Sequence, residues 1–349
     1  MTVCTLRPVD PNATRETLNL LRNLHALSGR AILFGHQDAT AYGVGWRGDA
    51  DRSDIKSVCG SHPAVYGWDF GRATQTGGPD LSSVLRLTIE AYQRGGVNTY
   101  SWHMYNPVSG GDFYDLTPAV THLLPGGSHH EAFRTELKRI SEFAKALRTP
   151  EGTLVPVIFR PFHEHNGNWF WWCRPFCTDA EFVALWHLTV RTLRDEFGVR
   201  NFLYAYSPDI FQGEEGYLDR YPGDEFVDIL GHDNYRQAEN PDRREEFLES
   251  LRILVRLAEK RVKLPALTET GLDKVGIPGW WTNNLAAPIL ADPLARRISW
   301  VLVWRNAGME HHFAPHPGHP SVPDFRKMAS SRQIWLENDL PTLYGDELE

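Results

Sequence analysis

Eight times along this chain a short apolar run ends in polar or aromatic residues, at 31–37, 63–69, 97–103, 155–162, 201–207, 228–235, 265–270 and 299–306. Each run has the length and bounding residues of a strand. Between most of them lie stretches with apolar residues at helical spacing, clearest at 81–94, 130–147, 179–197 and 243–260. A further helical stretch, 14–27, precedes the first run, and 323–337 follows the last. Only the connection between the fifth and sixth runs is thin, with one turn at 216–220. Strand and helix alternating eight times predict an α/β fold of the (β/α)8 TIM-barrel type. No Ser- or Pro-rich linker interrupts it, so one catalytic barrel domain over 1–349 is expected, with 1–30 as an N-terminal helical extension. A doubly wound open sheet is the alternative, but no G-x-G-x-x-G follows the first run.

Composition excludes several classes of function. Lys and Arg number 36 against 44 Asp and Glu, a net charge of −8, which speaks against nucleic acid as a partner. No apolar run approaches the roughly 20 residues of a membrane span. Trp 12, Tyr 12 and Phe 17 make the chain rich in rings. Such rings fill a core or stack on the C–H faces of sugars.

A barrel of this type carries its chemistry at the carboxyl ends of its strands. Here those ends read His36-Gln37, Trp68-Asp69, Trp102-His103, His163-Glu164, Ser207-Pro208-Asp209, Asp233-Asn234-Tyr235, Glu269 and Trp304-Arg305. Glu164 stands just past the fourth run among His and Trp, in the segment from Arg160 to Trp172. An apolar setting raises a carboxyl pKa, as a general acid requires. The plainer reading is a loop glutamate paired with Arg160. Glu269 ends the seventh run, across the barrel mouth from the fourth. Two such carboxyls make a retaining glycosidase at about 5–5.5 Å separation and an inverting one at about 6.5–9.5 Å.

The chain resembles glycoside hydrolase family 26, the β-mannanase family of clan A, over about residues 30–340. The resemblance rests on Phe34-Gly35-His36-Gln37, Trp68-Asp69, Ser101-Trp102-His103 with Asn106-Pro107, and the Phe162-His163-Glu164 to Trp172 segment. It continues through Asp233-Asn234-Tyr235, Thr268-Glu269 and Val303-Trp304-Arg305. It implies a retaining β-1,4-mannan hydrolase with Glu164 as acid/base and Glu269 as nucleophile. It further implies that His163 donates toward the axial 2-hydroxyl of mannose and that His103 contacts the catalytic subsite or orients Glu164. Tyr235 would hold Glu269, Trp304 would lie beneath the −1 sugar, Arg305 would reach the −2 sugar, and Trp169 would stack on the leaving-group side. Other clan A families place Asn where His163 stands. His165, Asn166 and Cys173 depart from the expected pattern of Asn, a small polar residue and Gly.

Alternatives on the same barrel are a glucanase or xylanase, a carbohydrate-binding protein without catalysis, and a metal hydrolase. Both carboxyls are present, which weighs against the second. His311, His312, His316 and His319 follow the eighth run, but neighbouring histidines rarely face one centre, so neither metal nor cofactor is expected. Internal cleavage is the expected mode. Long loops at 39–53, with Trp46 and Arg47, at 106–127, with Asp112, Tyr114 and Asp115, and at 307–320 offer the alternative of a blocked groove that releases mannobiose. Tyr105 stands at the base of the second loop. Cys173 and Cys177 are spaced for a small disulfide loop in an oxidising compartment. Residues 1–17 hold no apolar signal core, so a secreted or periplasmic protein is expected after signal removal, or a cytoplasmic one if Met1 is the native start. A monomer is expected.

Overall fold

The computed structural model describes residues 6–71, 81–346 and 348; Met1 and Cys4 lie outside them. Eight parallel strands form a closed barrel: β1 (Ile32–Gln37), β2 (Val65–Asp69), β3 (Val97–Trp102), β4 (Val157–Pro161), β5 (Phe202–Tyr206), β6 (Ile229–Asp233), β7 (Leu264–Thr270) and β8 (Trp300–Val303). β8 returns to β1 with Leu33 opposite Trp300 and His36 opposite Val303. Seven strands fall inside the runs expected from the sequence, and β7 begins one residue before its run.

The alternation of side chains explains why these runs close around a core. One buried cluster gathers Leu33, Val65, Val97, Ile158, Leu203 and Ile229, from six strands, with Leu264 and Trp300 from the other two. These residues face the barrel interior. Residues of the opposite alternation, such as Phe34, Tyr66, Trp68, Tyr100 and Phe159, belong to a second cluster shared with the surrounding helices. Strands buried on both faces read as near-continuous apolar runs, which is how they appear in the sequence. Much of the ring content is core: Trp68, Trp102, Trp171, Trp172, Trp186, Trp280, Trp281 and Trp300 are fully buried.

Helix α1 (Arg15–Ala26) starts where the Thr14 side chain accepts a hydrogen bond from the Thr17 backbone. Its Leu20, Leu21 and Leu24 join the interior cluster. The N-terminal stretch therefore closes the amino end of the barrel and leaves the carboxyl end for function. The outer ring includes α2 (Ser82–Gln93), α3 (His130–Ala146), α4 (Asp179–Arg191) and α5 (Arg244–Arg261). Asp179–Arg191 begins at a capping box of Thr178 and Glu181. The thin connection after β5 holds a short helix at Gly213–Leu218, three residues earlier than its expected start.

The expected last helix is corrected. It spans only Val322–Ala329, and Ile334–Trp335 then pairs with Ile32 and Leu33 at the start of β1. The polar stretch Ser330-Ser331-Arg332-Gln333 has no apolar face to bury, so the helix ends there.

Candidate active site

Following the inward positions of the strands upward, apolar residues give way to polar ones at the carboxyl end. Ser101 on β3, Arg160 on β4, Asp233 on β6 and Thr268 on β7 are buried there, as is Ser207 just after β5. Glu269 follows Thr268 directly, and strict alternation would turn it outward to the helices. It does not turn outward, because β7 carries a bulge. His232 and Asp233 on β6 lie opposite Leu267 and Glu269, so one residue of β7 is unpaired. On the other side Val301 and Val303 lie opposite Leu267 and Thr270. The extra residue lets Thr268 and Glu269 both face the mouth: Thr268 Oγ1 donates to Asp233 Oδ1 at 2.6 Å while Glu269 reaches Arg160.

Glu269 is almost fully buried and is held from two sides. The Arg160 guanidinium donates to Oε1, and the Tyr235 hydroxyl donates to Oε2 at 2.9 Å. Arg160 also donates to Asp233 Oδ2 at 2.7 Å and to Ser207 Oγ at 3.1 Å. A guanidinium does not deprotonate in a protein, so Glu269 always has a cation against one oxygen. Burial pushes the Tyr235 hydroxyl well above its ordinary pKa, so it remains a donor.

Glu164 sits in the opposite environment. It follows β4 with φ of +53°, a left-handed conformation that a non-glycine residue adopts at a cost of about 1–2 kcal/mol. Its backbone N–H donates to the Ser207 carbonyl at 2.8 Å and its carbonyl accepts from Gly167 at 2.8 Å, which hold the turn. Burial drives the Glu164 carboxyl well above the ordinary range, and the negative charges of Asp233, Glu269 and Asp209 push the same way. The opposing influence is Trp169, whose Nε1–H donates to Oε2 at 2.6 Å. A carboxyl kept protonated in this way can give its proton to a leaving oxygen.

Glu164 and Glu269 line one cavity of about 520 Å³ with His103, His163, Trp169, Tyr235 and Trp304. A second cavity of about 420 Å³ continues past His103, Tyr114 and Trp304, which line both, to Asp38, Asp69 and Arg305. His103 and His163 meet at 3.2 Å between their Nε2 atoms, and His103 Nδ1 lies 2.6 Å from Asp69 Oδ2. Arg305 donates to the Tyr42 hydroxyl at 3.3 Å. All eight residues singled out in the sequence thus lie at one mouth.

Three expectations change. Arg160, offered in the plainer sequence reading as the partner of Glu164, bridges Glu269 and Asp233 instead. Trp169 is more than a stacking ring, since its N–H reaches Glu164. Cys173 and Cys177 are free thiols: Cys173 Sγ points to the Glu164 carbonyl at 3.4 Å, and Cys177 Sγ to the Trp172 carbonyl at 3.5 Å. Asp233, Ser207 and Asp69 have no role expected from the sequence, and Arg160 only that of a partner to Glu164. A charged residue inside a buried strand was the available signal for Arg160.

A closed (β/α)8 barrel with a proton-holding glutamic acid facing a guanidinium-bound glutamate belongs to the class of two-carboxylate glycoside hydrolases. Within that class the chain belongs to glycosyl hydrolase family 26, whose profile matches residues 9–278. It is 36% identical over 323 residues to a mannan endo-1,4-β-mannosidase of Bifidobacterium adolescentis, covering 86% of this chain and 32% of that protein. The chain therefore spans about a third of that relative's length. A mannan endo-1,4-β-mannosidase of Bacillus subtilis is 31% identical, with 67% of each chain covered. Among solved structures, a GH26 β-mannanase from Bacteroides ovatus superposes with a TM-score of 0.90 at 42% identity, covering 96% of this chain and 98% of that one. A modular endo-β-1,4-mannanase from Cellulomonas fimi gives 0.92 at 36%, covering 99% and 80%.

Proposed function

We propose that the protein hydrolyses internal β-1,4-mannosidic bonds of mannans with retention of anomeric configuration. A Glu269 oxygen attacks the anomeric carbon as the bond to the leaving O4 breaks, and the Glu164 proton passes to that oxygen. A glycosyl ester on Glu269 results. Glu164, now ionised, takes a proton from water, whose oxygen displaces Glu269 and returns both carboxyls to their starting states. Arg160 and Tyr235 hold the attacking carboxylate from both oxygens and aim it. His103, His163 and Trp304 surround the reacting sugar, and Arg305 receives the next one on the glycone side.

The observation that carries this reading is the opposed environment of the two glutamates, one pressed toward its protonated form and the other bound to a guanidinium. Internal cleavage is supported by the cleft, which runs through two cavities sharing three wall residues, and by the names of the relatives at 36% and 31% identity. The test is galactomannan viscosity followed together with reducing ends and product configuration. A steep fall in viscosity at low reducing-end yield, with β-configured products, is expected. A slow fall with mannobiose as the early product overturns internal cleavage, and α-configured products overturn retention.

A further inference from the structure

Asp69, at the end of β2, has no part in the scheme above, yet it receives a concentrated set of donors. Its Oδ2 lies 2.6 Å from Ser101 Oγ, 2.6 Å from His103 Nδ1 and 3.3 Å from the His103 backbone nitrogen. The backbone N–H can only donate, so Oδ2 is an acceptor. The Ser101 hydroxyl and the His103 ring and backbone nitrogens thus converge on one carboxylate oxygen, an arrangement of donors around an ionised acceptor. The proton on the Asp69 side of the His103 ring is therefore on Nδ1.

That decides what the other side of the ring does. His103 Nε2 faces His163 Nε2 at 3.2 Å, and His163 Nδ1 is buried with no hydrogen-bond partner among the described residues. Two arrangements are open. If His103 were a cation, His163 Nε2 would accept and its own proton would sit on Nδ1, a buried N–H with no acceptor. If His103 is neutral, its Nε2 accepts from His163 Nε2–H, and Nδ1 of His163 is left as a bare lone pair. Orphaned buried N–H groups are the rarer of the two. His163 is itself kept neutral, first by burial and then by the Arg160 charge.

We propose that Asp69 is a positioning residue that sets the tautomers of His103 and His163, so that the one imidazole N–H shared between them belongs to His163 Nε2. Both rings line the cavity that holds the two glutamates. A sugar hydroxyl entering there meets a His163 donor and a His103 acceptor, an ordered pair that takes one proton and gives one. Without the Asp69 carboxylate, His103 is free to carry its proton on Nε2. Two N–H groups would then face each other, and the order would be lost. Sugar-hydroxyl hydrogen bonds strengthen in the glycosidase transition state, so the loss falls on kcat more than on KM. The kinetic half of this inference rests on the mannanase reading; the tautomer half does not.

The test is a two-bond ¹H–¹⁵N spectrum of the ¹⁵N-histidine-labelled full chain at pH 7, assigned with His103→Gln and His163→Gln. It is recorded for the wild type, Asp69→Ala and Asp69→Asn, alongside kinetics on mannohexaose. The expected wild-type pattern is Nδ1–H for His103 and Nε2–H for His163. Asp69→Ala should abolish that pattern and lower kcat/KM about 10–100-fold, mainly through kcat, as loss of a charge-assisted hydrogen bond does. Asp69→Asn keeps an oxygen where three donors converge, so it should keep the tautomers and most of the activity. A wild-type His103 protonated on Nε2 alone overturns the proposal. So does an Asp69→Ala protein with unchanged tautomers, whatever its activity. A wild type with the expected tautomers but no mannan hydrolysis leaves this assignment standing and overturns the mannanase reading instead.

Discussion

Trp169 donates its indole N–H to Glu164 across five residues of chain, at 2.6 Å, and so ties the ring beside the cleft to the group that must hold a proton. A donor stabilises the ionised carboxylate and lowers its pKa. Trp169→Phe keeps the ring and removes the donor, so the Glu164 pKa should rise further. In the proposed mechanism Glu164 acts protonated in the first step, so activity should be lost as pH climbs through its pKa. The alkaline limb of the kcat/KM profile should therefore move to higher pH in Trp169→Phe. A limb that stays in place or moves to lower pH, measured on mannohexaose, contradicts the assignment.

The two glutamates should separate in their response to leaving groups. Glu269→Ala is expected to abolish turnover of every substrate. Glu164→Ala should spare glycosylation with aryl mannobiosides, whose leaving groups need little protonation, and should leave a slow second step. Burst kinetics with an aryl substrate, and rescue by added azide, read this out. Equal loss on aryl and natural substrates would place the general acid elsewhere.

Arg160 is nearly fully buried and serves two carboxylates. Arg160→Met leaves both without their cation, and such a loss costs about 3–5 kcal/mol. Burial pushes the Asp233 carboxyl up to about 8 against the downward pull of Arg160 and the Thr268 hydroxyl, so removing Arg160 raises it further. A raised folded-state pKa means stability is present below the unfolded value, about 4, and lost as pH rises through the folded one. Asp233 is protonated in both folded proteins below about pH 8, so urea unfolding should show a deficit that is constant from pH 4 to about 8 and grows as pH rises beyond it. A pH-independent deficit would mean a packing effect alone.

Tyr114 is 59% exposed, stacks on Phe170 at 5.6 Å and 22°, and lines both cavities. Tyr114→Ala should remove contact area along the cleft at little cost to folding. We expect a loss of about 1 kcal/mol in kcat/KM, roughly fivefold, on mannohexaose. The melting temperature should be unchanged within about 2 °C. A folding defect without a kinetic one would make Tyr114 a loop-packing residue.

The sequence by itself determined the barrel and the place of both glutamates at its mouth, because those signals are local. A strand buried on both faces must be a short continuous apolar run, and eight of them with helical spacers leave few topologies. The polar residues that end those runs fall at one mouth for the same reason. What tertiary structure decided depends on distances between chain segments far apart in sequence. Arg160 sits four residues from Glu164 but bonds Glu269, 109 residues away, since it faces the barrel interior and the pairing of β6 and β7 brings that carboxyl beneath the mouth. Cys173 and Cys177 had the spacing for a bridge, but the turn directs each sulfur to a carbonyl. The orientation of Glu269 itself was beyond the sequence. Alternation sends it to the outer face, and only the unpaired residue in β7, set by register against two neighbouring strands, turns it into the cleft.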